Sequence, residues 1–393
     1  MVTNWKNLKG ILTGQKDLAS IGFANLVGSG LGAIFWFYLA SQISPGDYGI
    51  IHYFLGIAGM AQLISLISTP NSITVYTAKK IKIESTLFLL SISAGIISSI
   101  IVFILFERID VSLLILGYIV FELVNATLIG KKLFNKYAIF FLIQKSLTLV
   151  LGIGFYFIFG FEGVISALVL SFIPTIWILF SEFKKSKIDF SLLKPRKGFI
   201  ANNYGVNLSG AFSSQIDKII IAPILGFELL GNYALALQFF VVLMMGSTII
   251  FKYLLTQESS GYDTKKLRII TILLSVIIAI FGVYVLPQVI PILFPEFVSS
   301  IDAIRIISLV VIPATIALIY ESKFLSLEKS KFLVISKSIS AMMLIAGFLT
   351  LGLQFEIIGL SLSLLFSTSF QAIFLVVSNR IFIHNKMKNG ETL

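Results

Sequence analysis

The chain lacks cysteine and has little charge and little histidine. Among its 393 residues there is no cysteine, and only 12% are Asp, Glu, Lys or Arg, about half the share in an ordinary soluble domain. Without cysteine there can be no disulfide, thiolate nucleophile or cysteine metal site. The two histidines, His52 and His384, are too far apart in sequence to suggest a metal cluster.

What remains is apolar. Hydrophobic residues make up 57% of the sequence, and runs of about 20 apolar residues recur along it, each long enough to cross a bilayer as a helix. The sequence therefore predicts an all-α integral membrane protein with little room for a soluble domain. The net charge of +11 then indicates membrane orientation and contact with membrane lipids, not nucleic acid.

Motifs for enzymatic chemistry are missing as well. The sequence contains neither the nucleotide-binding pattern GxxxxGK[ST] nor the zinc motif HExxH. We therefore predict no enzymatic activity, no catalytic residues, no metal and no cofactor. Any transport would run on an ion gradient or on the downhill flux of the substrate.

Twelve apolar segments are candidate spans, numbered here span 1 to span 12. They cover about 18–42, 50–76, 84–106, 111–130, 137–160, 162–183, 200–225, 229–255, 267–294, 299–321, 331–353 and 357–381. The longest connection, 184–199, lies midway. It predicts an N-terminal six-helix lobe (1–183), a cytoplasmic linker (184–199) and a C-terminal six-helix lobe with a tail (200–393).

Charge predicts the orientation of these spans. With the N-terminus inside, the inner segments hold every lysine and arginine except Arg108, Lys145, Lys218, Lys252, Arg305 and Lys337. Because positively charged loops stay in the cytoplasm, we predict a multi-pass protein of the cytoplasmic membrane with both termini inside. Prolines within spans, such as Pro174 and Pro287, predict kinks.

An internal repeat relates the two halves. Aligning Gly46 with Gly231, 185 residues apart, pairs SPGDYGIIHYF with LLGNYALALQFF. The same offset aligns two stripes of small or polar residues on one helical face, namely Asn207, Gly210, Ser214 and Asp217 with Gly22, Asn25, Ser29 and Gly32. Lys145-Ser146 also resembles Lys337-Ser338. Two parallel lobes would place the stripes across a central cleft; alternatively, the small residues only permit close helix packing.

Charged residues inside spans are candidates for function, because a charge in hydrocarbon is costly. Asp217 lies on the stripe of span 7, and a buried carboxylate can carry a proton. Gln215 and Lys218 are in the same span but off the stripe, and Lys218, about 100° from Asp217 around the helix, is not expected to pair well with it. Glu122 and Lys145 fall at similar depths in consecutive spans. They form either an ion pair that fixes helix register or a charge site that exchanges its partner for a substrate anion. Lys218 and Arg305 either meet headgroups or line an outer vestibule.

The chain resembles a known family at this point. Gly46-Asp47-Tyr48-Gly49 after span 1, and SSQIDKIIIAPILGFELLGNYALAL from span 7 onward, resemble the polysaccharide flippases. These transport O-antigen and related lipid-linked oligosaccharides, and they belong to the superfamily that also holds the multidrug extruders. The resemblance covers essentially the whole chain.

The resemblance implies a function. Two six-helix lobes would alternate access and move a polyprenyl-diphosphate-linked oligosaccharide from the cytoplasmic to the outer leaflet, without ATP, for surface polysaccharide assembly. H⁺ or Na⁺ is the expected coupling ion at Asp217 and Glu122, and polysaccharide assembly enzymes are expected partners. The expected substrate-binding residues are Lys145, Lys218, Arg305, Asn25, Ser29, Asn207, Ser214 and Gln215.

Two other classes of protein compete with this interpretation. An ion-coupled exporter of drugs or organic cations would need acidic residues in the cleft, and Glu122 and Asp217 are available, although deep basic residues outnumber them. An intramembrane glycan polymerase or ligase would need a sizeable external loop for its catalytic groups, and the predicted external loops are very short.

Overall fold

The computed structural model describes the backbone from residue 4 to 388 except 68–69, 260–263 and 328. Side chains are described from residue 20 to 381, with gaps at 68–69, 206, 209–214, 252, 256, 259–263, 328 and 330. Regular structure in this part of the chain is helical. The helices are α1 Asn4–Ala40, α2 Pro45–Ser65, α3 Pro70–Ala78, α4 Glu84–Phe106, α5 Ile109–Gly130, α6 Phe134–Phe159, α7 Gly163–Leu170, α8 Ile173–Phe183, α9 Lys197–Leu225, α10 Phe227–Ser259, α11 Lys265–Tyr284, α12 Leu286–Leu293, α13 Ile301–Ser326, α14 Ser330–Gly347 and α15 Leu353–Lys388.

These helices account for the predicted spans. Within the described residues, nine stretches are long and apolar enough to cross a membrane, and two of them, Phe134–Phe183 and Lys331–Ile381, have 50 and 51 residues. A crossing needs about 20 residues, so each of these two holds a pair of crossings. With α9 as span 7, the chain has the twelve spans that the sequence predicts, and it is a multi-pass membrane protein.

On α4 the outward face is apolar, and several residues of the inward face are small or polar. On α4, Ser91 and Ser99 are buried, whereas Ile97 and Ile104 are 60% and 70% exposed. Such a pattern would be unstable in water, but lipid tails cover exposed isoleucine at no cost, while small residues let helices approach closely. Exposed apolar residues and buried small or polar residues are expected of a helix that faces lipid on one side.

Several spans are interrupted within the membrane. Span 6 divides into α7 and α8 just before Pro174, and α11 gives way to α12 just before Pro287. Proline lacks the N–H that continues a helix, which confirms the predicted kinks at these two positions. Pro223 and Pro313, by contrast, lie inside the continuous helices α9 and α13.

Two compact units divide the chain. The first contains Met1–Tyr38 and Phe54–Ala211, and the second contains Leu39–Tyr53 and Phe212–Leu393. Each unit thus takes a short segment from the other predicted half, so the lobe boundaries 1–183 and 200–393, with the linker 184–199, stay a prediction.

Each unit is built around one central helix. In the first unit α5 packs against α3, α4, α6, α7 and α8, and its Leu114 and Leu123 are fully buried. In the second unit α13 packs against α10, α11, α12, α14 and α15, and its Val310 and Val311 are fully buried. The helices α5 and α13 are spans 4 and 10, so they hold equivalent places in a six-helix repeat.

The second unit contains a close crossing of α2 and α10. A Cβ atom on Gly49 would collide with the carbonyl oxygen of Phe227, and one on Gly231 would collide with that of Pro45. Pro45 and Phe227 are the first residues of their helices. Only glycine lets two backbones come this close, so this contact requires both glycines.

This crossing corrects the register of the repeat. Gly49 and Gly231, which make reciprocal contacts, are equivalent, although the sequence alignment had matched Gly231 with Gly46. The ends of α1 and α9, Ala40 and Leu225, are 185 residues apart, as predicted. The turn before α10 is a single residue, Gly226, which has a φ of 92°, whereas four residues precede α2. The number of residues that separates equivalent positions is therefore 185 up to the end of α1 and α9, and it is three fewer from the start of α2 and α10.

Candidate functional site

The site in the first unit is centred on Lys145 of α6. Tyr137, Phe141 and Lys145 are spaced four residues apart, which places them on one face of the helix. The Nζ atom of Lys145 lies 5.6 Å from the centre of the Phe141 ring, a cation–π contact. Gly28 of α1 faces this pair: a Cβ there would lie 3.2 Å from Lys145 Cγ. The same Cβ would collide with the Phe141 ring, so Gly28 makes room chiefly for the ring and also for the lysine stem.

Asn25 supplies hydrogen bonding one helical turn before Gly28. Its Nδ2 donates to the carbonyl oxygen of Ile21 at 2.9 Å, and its Oδ1 accepts from the Tyr137 hydroxyl at 3.2 Å. Ser29, one helical turn after Asn25, is exposed. The predicted stripe on α1 thus runs beside the face of α6 that carries Lys145.

Glu122 of α5 is near Lys145 but not in contact with it. The two charges influence each other, yet no lysine nitrogen among the described residues comes within the 4.0 Å of an ion pair with Glu122. Lys145 also has no ion pair with a carboxylate within the described part of the chain. The sequence left open whether Glu122 and Lys145 form an ion pair that fixes helix register. That ion pair is absent among the described residues.

In the second unit, two intramembrane ion pairs form among the described residues. Asp217 and Lys218 of α9 approach to 3.4 Å, and Asp217 is buried. Their separation of about 100° around the helix predicts poor pairing. That prediction is wrong, because the long lysine side chain folds back to its neighbour. Lys337 of α14 lies 3.3 Å from Glu321, which also accepts a hydrogen bond from Gln371 at 3.2 Å.

The other predicted residues are dispersed. Arg305 is 52% exposed and pairs with Asp302 at 2.9 Å. Asn207 donates to the carbonyl oxygen of Leu63 at 3.3 Å, at the last turn of α2. Gln215 is half-buried. The side chain of Ser214 lies outside the described residues. Of the predicted set, the structure brings together Asn25, Glu122 and Lys145 in one unit and Asp217 and Lys218 in the other.

Three residues near these sites were not predicted from the sequence. Tyr137 and Phe141 belong to the face of α6 that carries Lys145, and their four-residue spacing is the signal that could have revealed them. Tyr204 donates to the carbonyl oxygen of Ile64 at 2.7 Å, beside the bond from Asn207. Both bonds reach carbonyl groups at the end of α2, which lack a partner within the helix. No sequence pattern reveals that contact.

Comparison with known proteins identifies the fold. No family model and no curated protein sequence matches the chain. The inward-facing structure of a multidrug resistance MATE family transporter of the MOP superfamily matches with a TM-score of 0.70 and 16% identity, over 92% of this chain and 95% of that one. Lipid II flippase MurJ, in an inward closed conformation, matches with a TM-score of 0.64 and 14% identity, over 92% and 87%.

A third similar structure is a MOP superfamily transporter from Pyrococcus furiosus, whose reversed binding-pocket polarity suggests a different function. It matches with a TM-score of 0.64 and 14% identity, over 95% of this chain and 96% of that one. At these identities the likeness is one of fold. The chain therefore has the all-α, twelve-helix fold of two six-helix lobes found in MOP superfamily transporters.

Proposed function

We propose that this protein is a flippase for a polyprenyl-diphosphate-linked oligosaccharide. It moves the lipid from the cytoplasmic to the outer leaflet of the cytoplasmic membrane, without ATP, and supplies surface polysaccharide assembly. The observation that carries the proposal is Lys145, a cation within a membrane-spanning helix that has no contacting carboxylate among the described residues.

An uncompensated lysine in a membrane span is suited to an anionic substrate. Burying a charge without a partner is costly, so a resting protein with no use for the charge would hold Lys145 in a contact pair, as it holds Lys337. A diphosphate brings the missing negative charge, and charge-assisted hydrogen bonds to phosphate are among the stronger polar contacts. Before substrate binds, the cation–π contact with the Phe141 ring stabilises the ammonium group.

The groups around Lys145 suit a sugar attached to the diphosphate. Asn25 and Ser29 lie on one face of α1, and Tyr137 adds a hydroxyl group. Amides and hydroxyls both donate and accept hydrogen bonds, so they adapt to different glycan hydroxyls. Glu122 is the candidate for a coupling H⁺ or Na⁺ site in the first unit, and Asp217 is the candidate in the second.

The second candidate function is ion-coupled export of organic cations, which the likeness to a MATE transporter favours. A cation site needs a carboxylate that is not already neutralised. Asp217 is in contact with Lys218, so its charge is already neutralised. Glu122 has no contact pair among the described residues, but the positive charge of Lys145 nearby disfavours a cationic substrate there.

A reconstitution experiment separates the two candidates. Purified protein in liposomes is given a fluorescent polyprenyl-diphosphate oligosaccharide, and a membrane-impermeant quencher measures how much of it changes leaflet. In parallel, liposomes with a proton or sodium gradient are loaded with a fluorescent organic cation. We expect protein-dependent movement of the lipid and no gradient-driven export of the cation.

Two controls accompany this experiment. Liposomes without protein give the spontaneous rate, and a phospholipid with the same fluorophore shows whether movement requires the diphosphate glycan. Gradient-driven export of the cation with no movement of the lipid would replace the flippase with the exporter.

A further inference from the structure

A second basic site lies in the first unit, away from Lys145. A pocket of about 450 Å³ opens where α3, α5 and α8 end and α4 begins. We call it the lysine pocket; its lining includes Thr77, Lys80, Lys82, Lys131, Lys132 and Lys185. Glu84 and Glu182 also line it, so five lysines face two carboxylates.

The charges of the pocket are unequally compensated. Glu182 pairs with Lys131, and with Lys185 at 2.8 Å, so one buried carboxylate engages two lysines. The other three, Lys80, Lys82 and Lys132, have no ion-pair partner within the described side chains. A concave site with this surplus positive charge attracts anions.

A buried hydroxyl group points to a ligand. Thr77 is only 5% exposed, and its Oγ1 has no hydrogen-bond partner among the described residues. Gly130 lies against Thr77, because a Cβ at Gly130 would come within 2.8 Å of Thr77 Cβ. A buried polar atom without a partner is unfavourable, and Thr77 lines the pocket, so rotation of its side chain toward the pocket would let a ligand oxygen provide that partner.

Two of the pocket lysines have an unusual backbone conformation. Lys80 and Lys132 both adopt left-handed conformations, with φ of 57° and 58°, which cost non-glycine residues about 1 kcal/mol. Each follows the end of a helix, α3 and α5 respectively. Both lysines thus occupy turns that line the pocket.

We infer that the lysine pocket binds a phosphate group. Lysine ammonium groups act as point charges for phosphate, and basic pockets between transmembrane helices bind phospholipid headgroups. The pocket holds a small anion or one headgroup and is too small for a macromolecule. Two sources have this chemistry: an anionic phospholipid of the adjacent leaflet, and a soluble phosphate compound. The inference does not depend on the flippase proposal.

The test measures binding to the purified full-length protein in nanodiscs of phosphatidylcholine. One arm adds phosphatidylglycerol, and the other adds pyrophosphate at constant ionic strength; native mass spectrometry counts the retained molecules. We expect one molecule to be retained in at least one arm, and the arm that shows it identifies the source. Retention in neither arm would overturn the inference.

Matched variants show whether the pocket holds that molecule. The triple variant Lys80→Gln, Lys82→Gln, Lys132→Gln should weaken binding about tenfold, since each lysine near the membrane surface adds to anion attraction. Its control changes three exposed lysines outside the pocket, Lys184→Gln, Lys194→Gln and Lys197→Gln, and should alter binding less than about twofold. Equal losses in both variants would mean diffuse attraction and would overturn the site.

A milder variant keeps the test valid if the triple variant folds poorly. Thr77→Val preserves the branched shape and removes only the hydroxyl group, so it should weaken binding about threefold. Replacing the three lysines by arginine retains the charge and should retain binding. Wild-type affinity in Thr77→Val together with lost binding in the arginine variant would contradict a phosphate site.

Discussion

Lys145 and Lys337 lie in spans 5 and 11, which correspond in the two predicted halves, and each is followed by serine, but their surroundings differ. Lys337 lies 3.3 Å from Glu321. Lys145 rests on the Phe141 ring, and the nearby Glu122 is not in ion-pair contact with it. The comparison teaches that similar apolar helices can carry lysines with different electrostatic surroundings: Lys337 has a contacting carboxylate, and Lys145 has none among the described residues.

The largest expected effect comes from removing the charge of Lys145. Lys145→Gln should lower flippase activity about tenfold or more, because a hydrogen bond to a charged group contributes roughly 1.5–3 kcal/mol. Lys337→Gln is the matched control and should change activity less than about twofold. The rate of leaflet exchange in liposomes measures both. Equal losses would remove the distinction between the two lysines.

The crossing of α2 and α10 is a feature that the two halves share, because Gly49 and Gly231 make reciprocal contacts there. Gly49→Ala and Gly231→Ala should each destabilise the protein by about 1–3 kcal/mol, because the added Cβ meets backbone that cannot move aside alone. Thermal unfolding in detergent should show similar losses for both variants. Gly46→Ala is the control, since its Cβ would find only Ser44 Oγ, at 3.8 Å. Unchanged stability in either variant would refute the reciprocal contact.

A smaller effect follows from removing one contact of a paired lysine. Asp217→Asn removes the carboxylate that contacts Lys218, so the second unit should bind polyprenyl diphosphate about threefold more tightly. If Asp217 carries a coupling proton, the same variant should also change the pH dependence of transport. An unchanged affinity and an unchanged pH profile would together assign Asp217 a structural role.

The smallest effect is expected at the hydrogen bond between α6 and α1. Tyr137→Phe keeps the ring and removes the hydroxyl that donates to Asn25, a contact worth about 1 kcal/mol or less at 3.2 Å. Leaflet exchange should fall about twofold for a substrate with a long glycan. Tyr156→Phe, on the same helix, provides a comparison. A loss as large as that of Lys145→Gln would mean that Tyr137 has a further role.

Much of the fold was predictable from local sequence. Length and hydropathy predict the twelve spans because each crossing must be long and apolar. The interruption of span 6 before Pro174 was predictable because proline acts on its own helix. The register between Gly49 and Gly231 was not, because it depends on the lengths of the turns before α2 and α10, which sequence similarity between apolar helices does not define.

The candidate sites were predictable only in part. Lys145, Asn25 and Glu122 stand out because polar residues are rare in apolar spans. Whether Glu122 touches Lys145 depends on helix rotation, which hydropathy leaves open. The bond from Asn207 to the carbonyl oxygen of Leu63 depends on where α2 ends and what packs there. The pairing of Lys218 with Asp217 depends on side-chain flexibility, which an angle around a helix does not capture.

The central claim is that Lys145 binds the substrate diphosphate. The most direct test is the dissociation constant of a polyprenyl diphosphate, measured in one set of nanodiscs for the wild type, Lys145→Gln and Lys337→Gln. We predict that Lys145→Gln weakens binding about tenfold or more and that Lys337→Gln changes it less than about twofold. Equal weakening in the two variants, or a larger loss in Lys337→Gln, would contradict the claim.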